Sequence, residues 1–147
     1  MRPFTKVSAS LIATVLAVAS LAPVAQAQSQ SFAATVNVPF TFETVSGQHF
    51  QPGVYTITID GTLTALIQGA AGSGLAMIGQ LAYVGLPVSH GEAVFAHYGD
   101  RYYLRSVSVA GNSTQLLFAR SKAERKSQVA SEKSHAAIEM AVLQTGR

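Results

Sequence analysis

The chain has 147 residues, no cysteine and a formal charge of +3. Without cysteine, disulfide bonding, thiol catalysis and cysteine–zinc sites are excluded. After Lys6 every Lys and Arg lies at Arg101 or beyond, so residues 28–100 offer no basic face and no nucleic-acid partner is expected.

Arg2 and Lys6 precede an apolar run from Val7 to Leu21, which Pro23 breaks. Ala25-Gln26-Ala27 then places small residues where a signal peptidase requires them. This pattern predicts a cleaved signal peptide over 1–27, with Gln28 as the mature N-terminus and a periplasmic or extracellular location. The run is shorter than the roughly 20 residues of a spanning helix. No later stretch is long and apolar enough to span, so no transmembrane segment is expected after cleavage. The absence of a cysteine beside the cleavage site excludes a lipoprotein anchor. Removing Arg2 and Lys6 from the charge of +3 leaves +1. The remaining chain is one domain by size.

Residues 28–34 are small and polar and read as a flexible lead-in. The β domain is predicted over 35–119. Val36, Val38, Phe40 and Phe42 share one parity, which argues for a strand with one buried face; Pro39 cannot donate to a ladder and places that strand at an edge or a bulge. Ser46-Gly47-Gln48 and Gln51-Pro52-Gly53 are turns. Tyr55, Ile57 and Ile59 alternate next, and Asp60-Gly61 signals a hairpin into a strand over Thr62–Gln68 with Leu63, Ala65 and Ile67 on one parity. After the glycine-rich loop Gly69–Gly74, Leu75–Val84 reads as one strand with Gly79 as a bulge. Glu92–Val109 reads as a second hairpin turning at Tyr98-Gly99-Asp100. Its returning strand breaks parity between Tyr102/Leu104 and Val107/Val109, which a bulge near Arg105-Ser106 would reconcile. Thr114–Phe118 is a last strand.

Ser121-Lys122-Ala123-Glu124 matches a capping box. Residues 122–143 contain no Gly or Pro and favour a helix, so residues 120–147 are expected to form a charged helical tail, and the sequence leaves open whether it docks on the β domain or projects from it. The fold class is therefore mainly β: a small antiparallel β-sandwich or barrel with a C-terminal α-helix, preceded by the signal peptide. Periodicity leaves sandwich and barrel open.

Val38-Pro39-Phe40-Thr41-Phe42, Pro52-Gly53-Val54-Tyr55, Phe95 through Tyr98-Gly99-Asp100-Arg101-Tyr102-Tyr103-Leu104, and Ser121-Lys122-Ala123-Glu124-Arg125 occur in this order. Together they resemble a family of small exported proteins of unknown function abundant in Acidobacteria. Ala96-His97 and Phe118-Ala119 depart from it, standing where members often carry a basic pair and a Leu-Pro. The resemblance implies an exported β domain and brings no activity, cofactor or catalytic residue.

Zinc chemistry would need His49, His90 and His97, with Asp100, to converge, and their spacing does not announce it. A hydrolytic triad from His97 and Asp100 lacks a Gly-x-Ser-x-Gly elbow in the mature chain. Glu43, Asp60, Glu92 and Asp100 are the carboxylates of the β domain, and the sequence gives no pair at a defined separation. The loop Gly69–Gly74 lacks the Lys-Ser/Thr ending of a phosphate loop, and Asn112-Ser113-Thr114 is a short sequon without weight here. No catalytic residue, cofactor or metal ligand is assigned. Tyr98, Arg101, Tyr103 and Arg105 form the candidate partner-binding surface, since tyrosine and arginine are enriched at interfaces. The competing expectation is that Tyr102 and Tyr103 straddle the hairpin, one of them in the core. The function expected is a non-enzymatic binding or structural module of the cell envelope, with an envelope protein or glycan as partner. The alternative is a small hydrolase acting on an envelope polymer, which convergence of Glu43, Glu92, His97 and Asp100 in one cleft would favour.

Overall fold

The computed structural model describes residues 31–61, 63–70, 72, 74–134 and 138–145; the expected signal peptide lies outside them. Among the described residues eleven strands and one helix follow in order: β1 Phe32–Val38, β2 Phe42–Glu43, β3 His49–Phe50, β4 Gly53–Ile59, β5 Thr64–Gly69, β6 Gly74–Ile78, β7 Gln80–Tyr83, β8 Gly91–Tyr98, β9 Arg101–Ser108, β10 Thr114–Leu117, α1 Lys122–Lys133 and β11 Ile138–Thr145. One sheet has the order β1-β4-β5-β6 and the other β11-β8-β9-β10-β7, with β2 pairing β3 and β9. Two packed sheets settle the architecture as sandwich-like. No helix among the described residues is long and apolar enough to cross a membrane.

The alternation in sequence decides which side chains are buried. Val36, Val38, Tyr55, Ile57, Ala65, Ile67 and Met77 from the first sheet meet Phe95, Leu104, Val107 and Leu116 from the second, with Phe42, Phe50 and Phe118 filling between. Each large side chain so buried contributes about 1.5–3 kcal/mol relative to exposure. Phe42, at the centre, meets the Phe50, Tyr55 and Phe95 rings at centroid distances of 5.1, 5.3 and 5.2 Å, within the range where aromatic pairs attract beyond their area. The first strand begins at Phe32, inside the expected lead-in. Near Pro39 the strand ends and the chain crosses sheets: β1 pairs with β4, whereas β2 runs parallel to β9.

The β4–β5 hairpin forms at Asp60-Gly61 as expected. Its turn reaches Leu63, which adopts a left-handed φ of 69° and is partly exposed. The Thr64 amide donates to Asp60 Oδ1 at 3.1 Å. In the β8–β9 hairpin, Val94 pairs with Ser106 and Phe95 with Leu104, leaving Arg105 as the extra residue of a bulge. That bulge returns Leu104 and Val107 to one core, as the parity break requires, and the Arg105 carbonyl accepts the Phe118 amide at 2.8 Å.

Two elements differ from expectation. Leu75–Val84 is two strands in different sheets: β6 pairs with β5 and β7 with β10. Gly79 is the corner between them. The helical tail expected over 120–147 is also corrected. Helix α1 ends at Lys133, and Ile138–Thr145 is a strand antiparallel to β8 along its full length. Helix composition in 122–143 is overridden because β8 would otherwise be an open edge, and backbone pairing there satisfies both strands. The helix docks on the domain, which the sequence left open: Glu124 and Ser131 are buried on the face turned to it.

Candidate functional site

The β8–β9 hairpin turns at Gly99-Asp100, and α1 lies across the outer side of that hairpin. Ser121 caps the helix by accepting the Glu124 amide at 2.9 Å. Tyr103 is 1% exposed and packs with Tyr98 and Ala96 beneath Ala123. The Tyr103 and Ser127 hydroxyls are 2.8 Å apart. Arg105 Nη1 donates to Glu124 Oε2 at 3.4 Å, and the other carboxylate oxygen, Glu124 Oε1, is buried without a hydrogen-bond partner. Burial pushes the Glu124 carboxyl above the ordinary glutamate value, against the pull of Arg105 and Arg120. Burial, then the Glu124 charge, raises the Tyr98 hydroxyl.

The expected partner surface of Tyr98, Arg101, Tyr103 and Arg105 is thereby corrected. Tyr98 and Tyr103 are internal and Arg105 is engaged by Glu124, which leaves Arg101 exposed. Adjacent strand residues face opposite ways, so Tyr102 lies on the side away from the helix. Its ring stacks on His97 at 4.1 Å and on Phe40 at 3.8 Å. Both Tyr102 faces are covered, so it is no platform for a sugar ring.

The acidic residues converge in part. Glu43, His49, Asp100 and Arg101 line one cleft of about 180 Å³, with His49 Nε2 at 3.8 Å from the buried Glu43 carboxylate. Glu92 and His97 lie elsewhere. The Glu92 amide bonds Ser108 Oγ at the opposite end of the hairpin, and His97 Nδ1 is 3.7 Å from Glu139 on β11. His90 bonds the neighbouring Ser89. Among the described residues no group of three or more His, Asp or Glu side chains is placed to hold a metal ion.

A different surface stands out at the corner where the chain changes sheets. Ile78 is 77% exposed, Leu81 56%, Tyr83 76% and Leu86 84%. Leu81 also lines a cleft of about 110 Å³ between the sheets, with the apolar Phe32, Ile59, Val109 and Leu116 and the polar Asp60, Asn112 and Thr114. No Asp, Glu, Lys or Arg occurs between Asp60 and Glu92. β6 and β7 are terminal in their sheets, and natural edges of this kind are usually guarded by charge. Sequence reasoning missed this surface. The signal available was the long charge-free stretch around an apolar run, which by itself reads only as one strand.

Searches of family models, of curated proteins and of solved structures return no match to this chain. The functional reading therefore rests on the residues themselves.

Proposed function

We propose that this chain is an exported, non-enzymatic binding module of the cell envelope, and that it takes its partner along the β6–β7 edge. Export is supported by the charged, apolar and small-residue succession of residues 1–27 and by the resemblance to small exported proteins. Binding is supported above all by one observation: Ile78, Leu81, Tyr83 and Leu86 stand more than half exposed within a stretch of sequence that carries no formal charge. Exposed apolar surface of this extent on a folded domain marks an interaction site. A protein partner is favoured over a glycan. Tyr98 and Tyr103 are buried and Tyr102 is stacked on both faces, whereas an edge strand suits a polypeptide that can add to it. The test is a photo-reactive phenylalanine analogue at position 83 or at position 101, irradiated in the native envelope. Adducts at 83 and none at 101 are expected. No adduct at 83, or equal adducts at both, would overturn the reading.

The shared cleft of Glu43 and Asp100 supports the second reading, a small hydrolase. Glu43→Gln and Asp100→Asn should each abolish release of soluble fragments from envelope polymer if that reading holds. Unchanged release in both variants, or none from the wild type, counts against it.

A further inference from the structure

We infer that the occupant of the β6–β7 edge is a second copy of this chain, joined edge to edge about a twofold axis. This rests on the binding reading above and names its partner.

Charge favours an identical partner. Two copies meeting through one patch bring the same charges to the contact, so a patch without charge meets its own copy with no like-charge repulsion. The four exposed apolar side chains all fall in the charge-free stretch between Asp60 and Glu92. Three other exposed surfaces carry charge: α1 presents Lys122, Arg125 and Lys126 around Val129, β11 carries exposed Glu139, and the β8–β9 turn carries Asp100 and Arg101.

Geometry favours it too. β7 pairs with β10 on one side and ends its sheet on the other. An antiparallel pair of identical strands is self-complementary under a twofold axis, because each strand gives the other the same donors and acceptors. The area is of the right order. At ~200 Å² for a fully exposed large side chain, Ile78, Leu81, Tyr83 and Leu86 offer roughly 600 Å² per copy, against about 800 Å² per partner in a stable interface of ordinary size. The β7 backbone adds to this.

Sedimentation velocity on a chain that begins at Gln28, over a wide concentration series, provides the test. Compared with it are a Tyr83→Lys/Leu86→Lys double variant, which places like charges on the edge, and Lys122→Glu on the helix. Both altered edge positions are exposed, and circular dichroism verifies that the fold is kept. The wild type and K122E should pass from monomer to dimer at the same concentrations, and the double variant should weaken dimerisation by about 100-fold or more. A wild type that stays monomeric at every concentration overturns the inference. So does a dimer that persists in the double variant, or an open series of larger assemblies. Adducts from position 83 to a different protein, with the chain itself monomeric, would overturn self-association and leave the binding reading standing.

Discussion

Gly79 sits against Leu116 so closely that a β-carbon there would lie 2.7 Å from the leucine Cγ and 2.7 Å from the Leu117 carbonyl oxygen. This contact fixes the corner at which β6 becomes β7. The neighbours cannot yield easily, since one is backbone and the other is a core side chain of β10. Gly79→Ala should destabilise the fold by about 1–3 kcal/mol or more through overpacking. Gly61→Ala, with open space around its added methyl, should be close to neutral. Chemical denaturation of the two variants measures the difference.

The helix is clamped by the hydroxyl pair of Tyr103 and Ser127. Tyr103→Phe keeps the ring beneath Ala123 and removes the bond, at a cost of about 0.5–1.5 kcal/mol. Amide exchange along Lys122–Lys133 should quicken in this variant, while the β4–β5 hairpin is unaffected. Equal quickening in both would show that the bond does not act on the helix.

Glu124 gives stability a pH dependence with a definite sign. Its folded-state pKa is raised by burial above the ordinary value, so the folded chain holds that proton more tightly than the unfolded chain. The associated stability is fully present below the unfolded-state pKa and is lost as pH rises through the folded-state pKa. Glu124→Gln should flatten the fall in Tm across that window, starting in the ordinary glutamate range and extending upward. Arg105→Met should widen the window, since it removes a charge that holds the pKa down. Thermal melts at closely spaced pH values check both.

Strand β11 is expected to be structural. Ala141 and Leu143 pack against the core, and the strand covers the whole edge of β8. Ending the chain after Ser134 should cost at least about 2 kcal/mol, the order of one buried leucine. It should also broaden the unfolding transition. A truncated chain that melts like the full one would contradict this role.

Much of the β domain was legible because alternation reports burial directly: the inward sets of β1, β4 and β5, the turn at Gly99-Asp100, the bulge at Arg105 and the cap at Ser121 all follow from local pattern. What was not legible depends on distant chain. Tyr103 is hidden by a helix about twenty residues further on, so local pattern presents it as a surface candidate. Ile138–Thr145 becomes a strand because β8 has a free edge, which its own composition does not disclose. Gly79 reads as a bulge because periodicity says which side chains turn inward but not which sheet receives them. The exposed edge was hidden for the same reason, since Leu75–Val84 reads as a single strand until the two sheets part at Gly79.

The most direct measurement is hydrogen–deuterium exchange of a chain that begins at Gln28, at low and high concentration. The account predicts slowed exchange in the peptide spanning Ile78–Leu86 as concentration rises, with Tyr98–Arg105 unchanged. Exchange over Ile78–Leu86 that stays the same at every concentration, or protection that grows around Tyr98–Arg105 instead, would contradict it.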